Sequence, residues 1–522
     1  MKSRLGFVGI LLAASLLSAG AGAQSVGDCA ALKGLELPGT ALEVANARIV
    51  PEGIPPPAPF APPIQKPLPA HCLLEGFLDH RTGAGGAPYA IGFAIAMPDN
   101  WNGRFLFQGG GGLNGNVSPP FGLQAAGDNP ALARGYAVVS TDSGHQSKAV
   151  FDAAFFADQE ASLNFFYKAV GKVTVTARQI IAGYYGREPE HSYFMGCSTG
   201  GREAMIVSQR YPDYFDGVVA GAPAMRTDYS NLGMRSLVTA FNRIAPRDDK
   251  NQPIVSKAFS AEDKQLIMES LLKTCDGRDG ISDGMIADPI GCDFDPAVLE
   301  CRGEKNTACL SGAQVKALHE AFAGPKDSRG FQVYPGYLYD TGISAGGERG
   351  IPGLLNAGQS PVGPPVMATE QDVDREAAAA AASMNGLGDS NSWTNLSSFS
   401  GHGGKLIFYH GVSDPWFSVL DTVDYNERLE RDNGGEEKTA QWSRLFLVPG
   451  MGHCGGGVAT LDRFDLLTAI TRWVEEGTPP DRVTATGASQ PGRSRPLCSY
   501  PAHAHYQGAG DPGREENFSC RR

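Results

Sequence analysis

The chain has 522 residues and sets 44 lysines and arginines against 56 aspartates and glutamates, for a formal net charge of -12. With no block of basic residues, that balance argues against nucleic acid or an anionic membrane as a partner. The length exceeds what one uninterrupted core organises, so a second core or a large insertion is expected.

At the N-terminus, "MKSRLGFVGILLAASLLSAGAGAQS" places Lys2 and Arg4 before an apolar run and an A-x-A site at Ala21 to Ala23. This is the pattern of a cleavable secretory leader, too short and wrongly flanked for a membrane span. Residues 1–23 are therefore set apart as leader, and the mature chain is expected to be secreted or periplasmic. Ten cysteines, none before Cys29, form an even set in an exported chain. That favours five disulfides over metal thiolates or thiol catalysis, with connectivity left open by spacing alone.

Residues 51–69, "PEGIPPPAPFAPPIQKPLP", are too proline-rich for a helix or an inner strand and predict an extended strap. Short apolar runs ending in glycine-rich corners follow at 89–98, 104–112, 136–145 and 192–201. These predict buried strands whose C-terminal ends open into loops. Apolar residues recur at helical spacing over 161–187 and again over 200–210. Further strands are predicted at 215–224, 405–411 and 443–450, and an amphipathic helix at 459–476. Strand alternating with helix is the rhythm of a mostly parallel sheet.

The rhythm stops between about 226 and 394, where glycine and proline breaks, four cysteines and the alanine run Ala377 to Ala382 occur. Because strands resume afterwards, this stretch predicts an insertion that caps the sheet. The expected organisation is a catalytic α/β domain in two parts, 24–225 and 395–522, around a lid at 226–394.

The corner "GCSTG" fits G-x-S-x-G, and it follows the predicted strand 192–196 and opens the predicted helix 200–210. That context marks the strand-to-helix elbow of an α/β-hydrolase, with Ser198 as nucleophile. The base and the orienting acid follow in the order Ser, Asp, His in this fold. Asp414 in "YHGVSDPW", at the end of the strand 405–411, and His453 in "VPGMGHCGGG", in a glycine-rich loop after the strand 443–450, are the preferred candidates. His410 and His402 compete as base; Asp142, Asp213 and Asp216 compete as acid but suit local turns and caps. Two N–H groups should receive the oxyanion: Thr199, directly after the nucleophile, and one from the run Gly109 to Gly112, with Gly110 and Gly111 as candidates. Trp416 and Phe417, just after Asp414, are candidate contacts for a substrate ring.

Cysteine accompanies both reacting residues, as "CS" at 197 and 198 and "HC" at 453 and 454. Bringing Ser198 and His453 within hydrogen-bond reach brings Cys197 and Cys454 close enough to pair, so Cys197 is read as a tether rather than a second nucleophile.

In "CDGRDGISDGMIADPIGC", Asp276, Asp279 and Asp283 sit on one glycine-punctuated loop between two cysteines. Alternating Asp and Gly supplies carboxylate and carbonyl oxygens of the kind Ca²⁺ takes, but the spacing is not that of an EF-hand. Spacing alone leaves a solvated acidic turn equally open.

Taken together, "GCSTGGREA", "HGVSDPW" and "PGMGHCGGG" resemble the tannase and feruloyl esterase family of α/β-hydrolases over nearly the whole mature chain. The resemblance implies a carboxylic ester hydrolase acting on small aromatic esters such as galloyl, hydroxycinnamoyl or terephthalate monoesters. It implies the pairs Cys197–Cys454, Cys275–Cys292, Cys301–Cys309, Cys29–Cys72 and Cys498–Cys520. It also implies structural Ca²⁺ in the lid, bound by Asp276, Asp279 and Asp283 with the backbone oxygens of Ile281 and Met285. Two other classes compete: a disulfide oxidoreductase using Cys197 and Cys454, which lacks C-x-x-C, and a calcium-dependent binding protein on an inactive hydrolase core.

Overall fold

The computed structural model describes residues 27–57, 63–344 and 366–522. The leader expected at 1–23, part of the proline-rich strap and residues 345–365 of the expected lid lie outside the described residues.

A nine-stranded mixed sheet organises the chain: β1 (Leu42–Val50), β2 (His71–Thr82), β3 (Pro88–Pro98), β4 (Arg104–Gln108), β5 (Ala137–Thr141), β6 (His191–Cys197), β7 (Gly217–Gly221), β8 (Lys405–Gly411) and β9 (Ser443–Val448). In space they run β1-β2-β3-β5-β4-β6-β7-β8-β9. From β5 to β9 every neighbouring pair is parallel, as the alternation of strand and helix predicts. The edge differs from the expectation: β3 is antiparallel to both β2 and β5, and β1 and β2, which the sequence did not single out, extend the sheet outward. Two small antiparallel sheets near the C-terminus, over 463–498 and 503–521, were likewise not expected.

Alternation along the central strands fills two cores. Phe105 and Phe107 of β4, Phe194 of β6 and Leu406 and Phe408 of β8 pack on one face with Ala177, Ile180, Met205 and Leu429 from covering helices. Leu106, Tyr193, Met195, Ile407 and Tyr409, the intervening residues, pack on the other face with Leu466, Ile470 and Trp473. Side chains of successive strand residues point to opposite faces, so a sheet buried on both sides needs apolar residues at every position. This is the α/β-hydrolase arrangement.

The helix over the first face runs from Gln159, capped by the Asp158 carboxylate accepting from Ala161 N, through a π-turn at Asn164–Lys168, to Tyr185, where Gly186 adopts φ 72°. The helix expected at 459–476 is shorter, Leu466–Glu476. Asp465 caps it by accepting from Thr468 N, and Arg463–Phe464 just before it pair as a strand instead.

Between β7 and β8 the chain leaves the sheet for helices Thr227–Ile244, Ala261–Cys275, Gly312–Ala323 and Val373–Ala381. The third and second begin in capping boxes, Ser311 with Gln314 and Ser260 with Asp263, and the fourth takes up most of the alanine run, the residue type with the highest helix propensity. Leu237, Phe241, Phe259, Ile267, Leu271, Ile286, Leu318 and Phe322 give this segment a core of its own. It also holds the disulfides Cys275–Cys292 and Cys301–Cys309.

Candidate active site

Ser198 stands at the C-terminal end of β6 with φ 64° and ψ -122°, a conformation few residues other than glycine adopt. The turn is held by backbone bonds on both sides: Ser198 N donates to Gly221 O at 3.0 Å, and Ser198 O accepts from Arg202 N and Ala224 N, each at 3.0 Å. Glycine is required beside it for close approach. A first side-chain carbon at Gly196 would lie 2.5 Å from the backbone of Gly200, and one at Gly200 would lie 2.7 Å from Gly110 O. The helix Thr199–Arg210 starts directly after Ser198, so its first N–H groups point back towards that residue.

His453 Nδ1 lies 2.7 Å from Asp414 Oδ2, in a pair almost wholly buried. Asp414 Oδ1 accepts from the backbone N–H of Trp416 at 2.8 Å and of Phe417 at 3.1 Å. His410, a rival for the base, is fully buried; its Nε2 lies 3.3 Å from the same Asp414 oxygen and its Nδ1 2.8 Å from Thr422 Oγ1. His410 thus braces Asp414 and is closed off from solvent. His402 is exposed ahead of β8. Burial pushes the Asp414 carboxyl up, but the charge of His453 and the hydrogen bonds from His410 and His453 outweigh it and hold the group well below the usual carboxylate range. The rival acids have local partners: Asp142 accepts from the N–H groups of Gly92 and Gly144, and Asp216 from Ser192 N, while Asp213 is exposed.

The disulfide Cys197–Cys454, with Cα atoms 5.9 Å apart, joins the residue before Ser198 to the residue after His453 across 257 positions. The Ser198 hydroxyl and His453 Nε2 are not hydrogen-bonded to each other; Nε2 lies 3.6 Å from Cys454 Sγ. In ligand-free hydrolases that bond is often long and tightens with substrate. All ten cysteines are paired, in the five pairs that the resemblance implies, leaving no free thiol.

One expected oxyanion donor needs correction. Gly110 N donates to Glu203 Oε2 at 2.8 Å and Gly109 N to Met195 O at 2.9 Å, so neither N–H is free. Gly111 is exposed, and its N–H, like that of Thr199, has no intramolecular acceptor among the described residues. Two further bonds clamp the glycine loop to the elbow, Gly200 N to Gly110 O at 3.0 Å and the Thr199 hydroxyl to Gly112 O. Trp416 and Phe417 pack on His453, with ring centroids 4.6 and 5.2 Å away, and Phe151 meets Trp416 edge-on at 6.3 Å.

Sequence reasoning passed over Asp340, from the segment between β7 and β8. Its Oδ2 accepts from Ser413 Oγ at 2.6 Å and from Gly450 N at 2.8 Å, binding together the loops that carry Asp414 and His453. It lies in an aperiodic stretch, "YDTG", and no local pattern marks it.

The acidic loop is buried at Asp276 and Asp279. Asp276 accepts from Asp283 N and Gly284 N, both at 2.9 Å, and Asp283 Oδ2 meets Arg495 Nη2 at 2.5 Å. Burial, and after it the neighbouring charges of Asp283 and Asp276, push the Asp279 carboxyl up to about 7. Among the described residues no set of three His, Cys, Asp or Glu side chains is drawn together closely enough to hold a metal by itself. A hard cation there would have to complete its shell with carbonyl oxygens such as those of Ile281 and Met285, which suits Ca²⁺.

No helix among the described residues is long and apolar enough to cross a membrane. The family model described as tannase and feruloyl esterase matches residues 79–358 and 364–521. The chain is 37% identical to the mono(2-hydroxyethyl) terephthalate hydrolase of Piscinibacter sakaiensis, over 87% of this chain and 85% of that protein. It resembles the crystal structure of feruloyl esterase B from Aspergillus oryzae with a TM-score of 0.76 at 26% identity, covering 94% of this chain and 99% of that one. The fold is shared with the tannin acyl hydrolase from Aspergillus niger, with a TM-score of 0.69 at 21% identity over 92% of each chain.

Proposed function

From the premise that this chain belongs to the tannase and feruloyl esterase family and is a carboxylic ester hydrolase, we propose that it cleaves small aromatic esters through a Ser198–His453–Asp414 triad and an acyl-enzyme. The observation that carries the reading is the Cys197–Cys454 tether. It ties the residue before Ser198, on its strained elbow, to the residue after His453, whose Nδ1 is already engaged by Asp414.

Asp414 fixes the His453 tautomer with the proton on Nδ1, leaving Nε2 to take the proton of Ser198. Ser198 Oγ attacks the ester carbonyl. The oxyanion is received by the N–H groups of Thr199 and Gly111. His453 returns its proton to the departing alcohol, and water, deprotonated by the same ring, releases the acid. Trp416 and Phe417 are the ring contacts of this reading: they already pack on His453, at the edge where an aromatic acyl group would lie. The segment 226–394 serves as the lid that selects the acyl group. Ca²⁺ would sit at the acidic loop, where Asp276, Asp279 and Asp283 do not by themselves close a site and the carbonyls of Ile281 and Met285 would have to complete the shell; there it would hold the lid's shape and take no part in the reaction.

An oxidising destination, secreted or periplasmic, is supported by the five disulfides. The aromatic acyl class is supported by the relatives' names, a terephthalate monoester hydrolase and a feruloyl esterase. The test compares kcat/KM on methyl gallate, methyl ferulate and mono(2-hydroxyethyl) terephthalate, with Ser198→Ala as control. Turnover of at least one, abolished in Ser198→Ala, is expected; no turnover of any of the three sinks the aromatic acyl class.

A further inference from the structure

The elbow helix carries a buried acid that the triad does not use. Glu203, 1% exposed, lies one turn into the helix Thr199–Arg210. Its Oε2 accepts from Gly110 N at 2.8 Å, and its Oε1 accepts from Ser143 Oγ at 3.2 Å and Asn114 Nδ2 at 3.3 Å. Asn114 Nδ2 also donates to the Ser143 hydroxyl. One carboxylate therefore binds three segments that meet behind the nucleophile: the glycine loop after β4, the corner after β5, where Ser143 has φ 65°, and the elbow helix itself.

Burying a carboxyl is costly unless its oxygens are satisfied, and a purely structural helix would place an apolar residue here at lower cost. Burial pushes Glu203 up, while the Gly110 N–H and the adjacent Arg202 pull the other way. The arrangement directs both oxygens at the loop. Gly110 is gripped at both ends, its N–H by Glu203 and its C=O by Gly200 N, and the next N–H in the chain, that of Gly111, has no acceptor among the described residues. An oxyanion donor helps only if it is aimed before the charge develops.

We propose that Glu203 is the positioning residue of the oxyanion hole: by holding Gly110 N–H against the elbow helix it orients the following peptide so that Gly111 N–H faces the oxygen that becomes negative. The proposal rests on the reading of Ser198 as nucleophile and of Gly111 as donor. Glu203 touches no reacting atom. Its contribution is made in the transition state, so losing it should lower kcat and leave KM nearly unchanged.

The test measures kcat, KM and the inhibition constant of phenylboronic acid, whose adduct with serine imitates the tetrahedral intermediate, for wild type, Glu203→Ala and Glu203→Gln. Ser198→Ala is the control. Deleting an oxyanion donor outright costs on the order of 10²- to 10³-fold in kcat, and misaiming one should cost less. Glu203→Ala is expected to lose roughly 10- to 100-fold in kcat, with phenylboronic acid weakened by a similar factor and KM changed less than about threefold. Glu203→Gln, whose amide oxygen can still accept from Gly110, should recover most of both. A melting-temperature loss with kcat and boronate affinity intact would mean a structural role only and would overturn the proposal. If Glu203→Ala does not fold, Ser143→Ala must weaken kcat and boronate affinity together; no change in either also overturns it. The two failures separate cleanly. Activity surviving in Ser198→Ala removes the underlying reading, whereas an inactive Ser198→Ala beside a fully active Glu203→Ala removes only the role of Glu203.

Discussion

Asp414 meets two histidines with one oxygen, at 2.7 Å from His453 and 3.3 Å from His410, while its other oxygen is occupied by two backbone N–H groups. An asparagine fits the same space but can offer His453 Nδ1 a donor instead of an acceptor, which favours the wrong tautomer. Asp414→Asn should therefore lower kcat by roughly 10⁴-fold, as the same change does in a well-studied serine protease, with little change in KM under steady-state assay. The acid also couples to stability. Its folded pKa is depressed, so the stabilisation it contributes is fully present above the unfolded value of about 4 and is lost as pH falls further, towards the folded value. Thermal unfolding across pH 2 to 7 should show the gap between wild type and Asp414→Asn narrowing below about pH 4; a constant gap would mean the carboxylate charge contributes nothing. At this scale the candidate triad Ser198, Asp414 and His453 was legible because each follows closely on a strand inside a short motif. Glu203 and Asp340 were not, because their most distant partners lie 93 and 110 positions away and only folding brings them together; the partners of His410 are local, at 4, 7 and 12 positions, but its role beside Asp414 has no pattern in the sequence.

Between elements, the critical link is the disulfide from the end of β6 to the loop after β9. Closing a loop of 257 residues is assigned on the order of 5 kcal/mol by chain-entropy models, less any native strain. The double variant Cys197→Ser/Cys454→Ser should melt several degrees lower and lose kcat, since the loop bearing His453 is freed from the elbow. Full activity at an unchanged melting temperature, measured by calorimetry and steady-state assay, would refute the tether. The strand expected at 405–411 coincides with β8, and the helix expected at 200–210 begins one residue early at Thr199, because apolar runs flanked by glycine mark their own ends. β1 went unnoticed because none of its residues is fully buried: "LEVANARIV" mixes polar with apolar residues and shows no continuous run. The shortened helix at Leu466 reflects the Asp465 cap, a signal present in the sequence and outweighed by the apolar residues before it.

Across the whole molecule, the segment between β7 and β8 builds its own core and reaches back to the site through Asp340. Its interruption of the strand rhythm was visible in the sequence, while its helices were masked by glycine and proline breaks. A Ca²⁺ ion that binds the acidic loop only in the folded state would raise the melting temperature by mass action. The melting temperature should therefore fall in EDTA, recover with added Ca²⁺, and become insensitive to both in Asp279→Asn; a curve unmoved by EDTA or Ca²⁺ contradicts the calcium reading. The central claim is that Ser198, and not its neighbour Cys197, forms the covalent intermediate. The most direct measurement is peptide mass spectrometry after reaction with a fluorophosphonate. One adduct per chain is expected on the peptide containing Ser198, absent in Ser198→Ala and strongly slowed in His453→Ala. An adduct on any other residue, or labelling that survives Ser198→Ala, would contradict that claim.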